Sequence, residues 1–238
     1  MHQPPKFVRY RDLTEADINV ELHAHTTQTD GKASIAEMIQ RAHERGLSAL
    51  ALTEHVRRDT PWFGEWAANV RTAAQAYADL TVYVGCEAKA LDTEGGLDTS
   101  DEIRAESNMV VGVVHRFPDG QGGLMDWNTL TEGEFAQTEF ALANGLLKTA
   151  PIHVLGHPGG MYQRKFKRPF PADLFAALME TSLERGIAFE ISTSYLVDAP
   201  AFLDLCEQIN PVVSIGSDVH QLDTMATCRD TLMALRRA

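Results

Sequence analysis

The stretch INVELHAHTTQTDG, residues 18–31, begins as an apolar, β-branched run and ends in two histidines and an aspartate. The run INVEL predicts a strand over 18–22. His23 and His25 follow directly, and Asp30 comes five positions later. Because side chains alternate along a strand, we expect the rings of His23 and His25 on one face, where both can bind one ion. The same pattern, an apolar run followed by histidine or carboxylate side chains, recurs along the chain.

Apolar runs separated by helical patterns predict the rest of the fold. Six more runs are predicted to be strands: 47–53, 81–85, 109–114, 152–156, 187–192 and 212–216. The helix after the first strand has a capping box, with Ser34 as N-cap and Glu37 three residues later, and it stops at Gly46. Further helices are predicted at about 65–78, 131–148, 171–186 and 200–209.

Strands that alternate with helices pair in parallel through right-handed crossovers. Seven such strands predict an α/β fold, a closed or nearly closed (β/α)7 barrel, with an open doubly wound sheet as the alternative. No linker or repeat divides the chain, so we predict a single domain over 1–238, with a core of about 18–220.

Composition limits the class of protein. The chain has 238 residues, of which 44% are hydrophobic and 23% charged, so it can bury a large core and is not expected to be disordered. A net charge of −12 argues against non-specific nucleic-acid binding and against an anionic membrane surface. Three scattered cysteines, no signal peptide and no apolar run of about 20 residues predict a cytoplasmic protein.

Metal-ligand side chains follow six of the seven predicted strands. The ligand residues that follow the later strands are His55, Glu87, His115, His157, Asp218 and His220. The sixth strand offers Glu190 but no obvious ligand. His2, His43 and His153 are assigned structural roles. Because the carboxyl ends of parallel strands meet at one mouth, we expect the nine donors to converge there.

The donor types indicate the class of metal. Imidazole with carboxylate and no thiolate suits zinc, manganese or iron. Nine donors are too many for one tetrahedral ion and enough for two or three divalent ions. Without cations, the carboxylates of Asp30, Glu87 and Asp218 would repel one another in one pocket.

Taken in order, the motifs HAHTTQTDG, LTEH, GCE, VVH, LGHP and GSDVH resemble those of the PHP family, named for polymerase and histidinol phosphatase. The resemblance spans residues 18–220. It implies a distorted (β/α)7 barrel, a site for up to three metal ions and metal-dependent phosphoesterase activity.

The resemblance also implies which residues bind which ion. The first ion would be bound by His23, His25, Glu87 and Asp218. Glu87 would bridge to a second ion bound by His115 and His157. Asp30, His55 and His220 would bind the third ion. Some relatives have a histidine where Asp30 stands. Glu54 stands where an aspartate is commoner, and it is not expected to be a ligand.

The implied reaction is an in-line attack on phosphorus by a hydroxide that bridges two ions, while the third ion neutralises phosphoryl charge. Asp218 or a neighbouring histidine would move the proton, so the predicted catalytic residues are Glu87, Asp218 and His220. Arg116, directly after His115, and Arg164, in the basic run 161–168, are predicted to bind the phosphate.

The sequence therefore predicts an enzyme that hydrolyses a small organic phosphate ester, with histidinol phosphate as the family's obvious candidate. No nucleic-acid or membrane partner is expected. One alternative is a metallohydrolase of the amidohydrolase type, which cuts C–N bonds. Another alternative is a non-catalytic, metal-binding relative.

Overall fold

Eight strands form one sheet in the computed structural model, which describes residues 2–236. They are β1 (Val8–Arg9), β2 (Val20–Ala24), β3 (Ala49–His55), β4 (Thr81–Lys89), β5 (Met109–Val113), β6 (Val154–Leu155), β7 (Ala188–Ile191) and β8 (Val212–Ile215). The strands from β2 to β8 pair in parallel with their neighbours in chain order. The short β1 pairs antiparallel with β8.

The sheet closes between its first and last parallel strands. The backbone N–H of His25 donates to the carbonyl of Val219 (2.8 Å), and the N–H of Val219 donates to the carbonyl of His23 (2.9 Å). This bridge lies beyond the end of β8, whereas β1 occupies the β8 edge nearer its start. The predicted distorted (β/α)7 barrel is therefore confirmed, and the open doubly wound sheet is not formed.

The helices of the described residues pack around the sheet. They are α1 (Glu15–Ile18), α2 (Ile35–Glu44), α3 (Phe63–Ala74), α4 (Asp101–Glu106), α5 (Glu132–Thr149), α6 (Gly160–Phe166), α7 (Ala172–Arg185), α8 (Ala199–Ile209) and α9 (Thr227–Leu235). Between residues 2 and 236 no helix combines the length and apolar character that a membrane span requires. The domain limits predicted from the sequence stay a prediction.

The predicted start of α2 is confirmed in detail. Ser34 Oγ accepts from the backbone N–H of Glu37, and the Glu37 carboxylate accepts from the N–H of Ser34 (2.8 Å). Gly46 follows the helix with φ of 66°, a left-handed conformation that glycine adopts without steric cost.

The first parallel strand begins later than predicted. Thr14 and Asp17 form a capping box that starts α1, so Ile18 ends a helical turn instead of opening a strand. The strand runs from Val20 to Ala24, so His23 lies inside it and not after it. The helices α1, α4, α6 and α9 were not predicted, because each is short or lacks a long apolar periodicity.

A bulge near the end of β2 turns its side chains. Glu21 pairs with Leu50 but Ala24 pairs with Leu52, so β2 contains one extra residue against β3. Leu22 packs in the apolar cluster inside the barrel, whereas Ala24 packs in the layer between sheet and helices. Because the extra residue reverses the alternation, His23 and His25 both point into the barrel mouth.

The barrel interior is apolar below this mouth. The inner cluster comprises Leu22, Ala49, Ala51, Met109, Val111, Val113, Val154 and Ala188. On β5 the inward residues are Met109, Val111 and Val113, and the same alternation continued beyond the strand brings His115 inward. An apolar floor excludes water from below, so the polar side chains gather at one end of the barrel.

Candidate metal centre

All nine side chains predicted as metal ligands lie together at the carboxyl ends of the parallel strands. They form a continuous set of contacts from the buried interior to the rim. His23, His25 and Glu87 are buried, whereas Asp30 is exposed. The structure therefore shows the predicted convergence. That these residues bind metal stays a prediction from the sequence.

Glu87, near the end of β4, is the centre of the set. Its Oε1 lies 3.1 Å from His157 Nε2 and 3.3 Å from His115 Nε2. Its Oε2 lies 2.5 Å from His55 Nδ1 and 3.5 Å from His25 Nε2. Burial alone would raise the pKa of Glu87, but the surrounding histidines, His115 foremost, hold it well below its usual value. Glu87 is thus an ionised carboxylate with imidazoles facing both oxygens, as a bridging ligand requires.

The outer part of the mouth is formed by Asp30, His55 and His220. His55 Nε2 lies 3.3 Å from Asp30 Oδ2, and His220 Nε2 lies 3.3 Å from Asp30 Oδ1. His25 belongs to the same group, since donor atoms of all four residues lie within 4.8 Å of one another. The trio predicted for a third ion is therefore together, with His25 as a further neighbour.

Buried polar atoms without a hydrogen-bond partner indicate which kind of ligand fits the mouth. His23 Nε2, His25 Nε2 and Asp218 Oδ1 are buried, and none makes a hydrogen bond of acceptable geometry. A buried polar atom without a partner costs about 1–3 kcal/mol, so three such atoms in one pocket indicate that the pocket binds a ligand. Imidazole and carboxylate donors fit divalent transition metals. The donor set therefore fits the metal ions that the sequence predicts.

Glu190 on β7 was left without a role by the sequence, and the structure gives it one. Its Oε1 lies 2.7 Å from His23 Nδ1, and its Oε2 accepts from the backbone N–H of His157 (2.6 Å). A carboxylate on the far ring nitrogen fixes the orientation of a metal-binding imidazole. Gly216 provides the space for this carboxylate, because a Cβ there would lie 2.5 Å from Glu190 Oε1. The sequence feature that could have indicated this role is the presence of a glutamate in the apolar run 187–192.

Glu54 braces the loop that presents Asp30. Its carboxylate accepts from the backbone N–H of Thr26 (2.6 Å) and from the hydroxyls of Thr26 and Thr29. Gly31 closes this loop, since a Cβ there would collide with the backbone of His25. Both oxygens of Glu54 are engaged by the loop, in keeping with the expectation that Glu54 is not a ligand.

Glu139 on α5 supports the loop after His157. Helix α6 starts there without a side-chain cap of its own. Instead, the buried carboxylate of Glu139 accepts from the backbone N–H groups of Met161 (3.0 Å) and Tyr162 (2.8 Å). Burial raises the pKa of Glu139 to about 7, against which the two hydrogen bonds act only partly.

This pKa predicts a pH-dependent contribution to stability. Between pH 4.5, the ordinary pKa, and about 7 the folded chain keeps a proton that the unfolded chain has released, so the free energy of unfolding falls as pH rises. We expect the difference in unfolding free energy between wild type and Glu139→Gln to fall by about 3 kcal/mol from pH 4.5 to 8. Urea unfolding of metal-free protein measures it. The exposed Glu180→Gln should show no such trend, and a flat difference for Glu139→Gln would contradict the prediction.

The two predicted phosphate-binding arginines line one cavity of about 680 Å³ over the mouth. Arg116 Nη2 lies 3.1 Å from Asp98 Oδ2, which fixes the guanidinium. Arg164, on α6, lies against the ring of Tyr195, with 5.6 Å from Cζ to the ring centroid. Lys89 and Lys165 line the same cavity. Four cationic side chains thus surround the opening in an acidic chain.

The three histidines assigned structural roles lie outside this mouth. His153 Nδ1 accepts from the backbone N–H of Val110 (3.0 Å). His43 Nδ1 lies 3.3 Å from Asp79 Oδ1 on the surface. His2 contacts the guanidinium of Arg71.

Comparison with known proteins identifies relatives over most of the chain. The family model described as the PHP domain matches residues 21–194. A probable phosphatase of Caldicellulosiruptor bescii is 23% identical over 222 residues, which cover 90% of this chain and 85% of the relative. A probable phosphatase of Clostridium acetobutylicum is 26% identical, with 84% and 78% of the two chains covered.

A solved structure shows the same fold. A Listeria monocytogenes protein, provisionally named as a histidinol phosphatase, superposes with a TM-score of 0.70 at 14% identity and covers 89% of this chain and 99% of its own. The family model spans most of the barrel and includes the strand ends from His23 to His157. The chain therefore belongs to the PHP domain family.

Proposed function

We propose that this protein is a metal-dependent phosphoesterase that hydrolyses a small organic phosphate ester. The observation on which the proposal rests is the convergence of nine imidazole and carboxylate side chains beneath a cavity lined by four cationic side chains. Metal ligands alone fit many hydrolases, whereas the added cations favour an anionic substrate. The names of the relatives, probable phosphatases, support the same class of reaction.

Divalent ions at the mouth would lower the pKa of a bound water to about 7 and neutralise charge on the phosphoryl oxygens. His23, His25, Glu87 and Asp218 would hold one ion, and Glu87 with His115 and His157 a second. The rim trio Asp30, His55 and His220 would hold a third. We assign transfer of the leaving-group proton to Asp218 or His220, which both line the cavity.

The remaining cavity wall would receive the substrate. Arg116 and Arg164 would bind phosphoryl oxygens, because a guanidinium forms charge-assisted hydrogen bonds with them. Trp127, Asn128 and Met161 also line the cavity, which at about 680 Å³ exceeds what a bare phosphate fills. These three side chains would contact the organic part of the ester.

A substrate panel tests the proposal. Protein loaded with Mn²⁺ or Zn²⁺ is offered phosphomonoesters, including histidinol phosphate, together with phosphodiesters, lactams and simple amides. We expect phosphate-ester hydrolysis that a chelator abolishes. Cleavage of amides alone would indicate the amidohydrolase reaction. Bound metal without hydrolysis of any compound would indicate a non-catalytic relative.

Replacing Arg116 with alanine tests its proposed contact with the phosphate. We expect kcat/KM to fall roughly 10- to 100-fold for the best ester, since one charge-assisted hydrogen bond contributes about 1.5–3 kcal/mol. Steady-state kinetics measures the loss. Arg9→Ala, at the opposite end of the barrel beside the start of β8, is the control and should match wild type. An unchanged kcat/KM for every hydrolysed ester would remove Arg116 from the site.

A further inference from the structure

Tyr195, which follows β7, holds one oxygen of Asp218. Its hydroxyl donates to Asp218 Oδ2 (2.5 Å). The other oxygen, Oδ1, is buried without a hydrogen bond of acceptable geometry and faces His25 Nε2 at 3.0 Å. The hydroxyl thus engages the oxygen that points away from the imidazoles and leaves Oδ1 directed at them.

The backbone of Asp218 also depends on this segment. Asp218 has φ of 52°, a left-handed conformation that is uncommon for residues other than glycine. Ser194 Oγ donates to the carbonyl of Ser217 (3.0 Å), one residue before. The segment after β7 therefore contacts the segment after β8 twice, through Ser194 and through Tyr195.

The ring of Tyr195 continues a stack that starts at the metal centre. His115 and His157 stack with ring centroids 5.0 Å apart and planes 2° apart. Tyr195 stacks on His157, with 4.6 Å between centroids. Arg164 lies against the ring of Tyr195. The stack runs imidazole, imidazole, phenol and guanidinium, and it ends at the cavity.

Gly160 provides the space for this ring. A Cβ at Gly160 would lie 2.8 Å from Cδ1 of Tyr195, closer than such atoms approach. The start of α6 and the ring are therefore in direct contact. The same helix presents Arg164, so the position of the ring and the position of the guanidinium are linked through packing.

We propose that Tyr195 is a positioning residue with two separable roles: its hydroxyl directs Asp218 Oδ1 to the metal ions, and its ring holds Arg164 over the cavity to bind phosphate. The inference deepens the proposed phosphoesterase function and rests on it for the role of Arg164. The role of the hydroxyl concerns metal binding, so a metal titration tests it without any measurement of catalysis.

Two substitutions separate the roles. Tyr195→Phe keeps the ring and removes the hydroxyl, so we expect the Kd for Mn²⁺ or Zn²⁺ to rise about 10-fold and kcat to fall about 10-fold, with KM within twofold of wild type. Tyr195→Leu removes both, so we expect the same metal effect and, in addition, a KM about 10-fold higher. Calorimetric metal titration and steady-state kinetics on the best ester are the measurements.

Tyr162→Phe is a matched control, because Tyr162 donates a phenol–carboxylate hydrogen bond of 2.5 Å to Glu132 outside the mouth. It should leave the metal Kd unchanged. A metal Kd for Tyr195→Phe equal to that of wild type would overturn the hydroxyl role. Equal KM values for Tyr195→Leu and Tyr195→Phe would overturn the ring role. If wild type cleaves no ester, the proposed function and the ring role fail, while the metal titration still decides the hydroxyl role.

Discussion

Glu87→Gln is expected to lower kcat/KM for phosphate esters roughly 10³-fold or more and to reduce the number of bound metal ions. The glutamine keeps the shape of the side chain but replaces one oxygen by an N–H₂ group, which cannot bind a cation. Glu87 lies 3.5 Å from His25 of the first proposed ion position, and 3.3 and 3.1 Å from His115 and His157 of the second, so its loss disturbs two proposed ion positions at once. Elemental analysis of dialysed protein and steady-state kinetics measure the two effects.

Glu180→Gln is the control for this substitution, since it removes a carboxylate from the exposed face of α7. It should bind the same number of ions as wild type. A Glu87→Gln protein that retained both full metal content and wild-type kcat/KM would contradict the bridging role, and with it the proposed arrangement of ions.

Removal of metal is expected to have the second large effect, on stability as well as activity. Binding to the folded state alone stabilises by about 4 kcal/mol when the free ion is about 1,000-fold above its Kd. For a chain of this length that corresponds to an unfolding temperature about 10 °C higher. The physical cause is that bound ions would neutralise the buried carboxylates and would give the unpaired atoms of His23 and His25 a partner.

Calorimetric scans before and after chelation measure this difference, and added Mn²⁺ or Zn²⁺ should restore both activity and unfolding temperature. Mg²⁺ is the comparison ion, because it prefers oxygen ligands over imidazole and should restore less. Identical scans with and without chelator would show that the mouth binds no ion in the folded chain.

Much of the site could be predicted because most of the donors come within a few residues of the end of a predicted strand. His55, His115 and His157 come at the ends of apolar runs, and parallel strands bring such ends together whatever the details of their pairing. The order of strands and the capping box of α2 depend on local patterns, which the sequence displays. β2 starts later than predicted because Ile18 belongs to the short helix α1.

Other parts depend on contacts between distant segments. Glu190 and its partner His23 are 167 positions apart in the sequence. Glu139 is more than 20 positions from the start of α6, which it caps. Local patterns do not encode such pairs. What the sequence did show was a glutamate in a strongly apolar strand and another on a helix. A buried carboxylate is costly without a partner, so a glutamate at such a position indicates a hydrogen-bond donor from another segment of the chain.

The bulge in β2 has a consequence for how this segment tolerates change. One residue of chain length, rather than any property of a side chain, decides whether the imidazoles or their small neighbours face inward. If the same residues paired with β3 without this bulge, the composition of the strand would be unchanged, yet regular alternation from Leu22 onward would turn both rings toward the helices. The pairing register of β2 is therefore constrained by the chemistry at the mouth, independently of the constraint that folding places on composition.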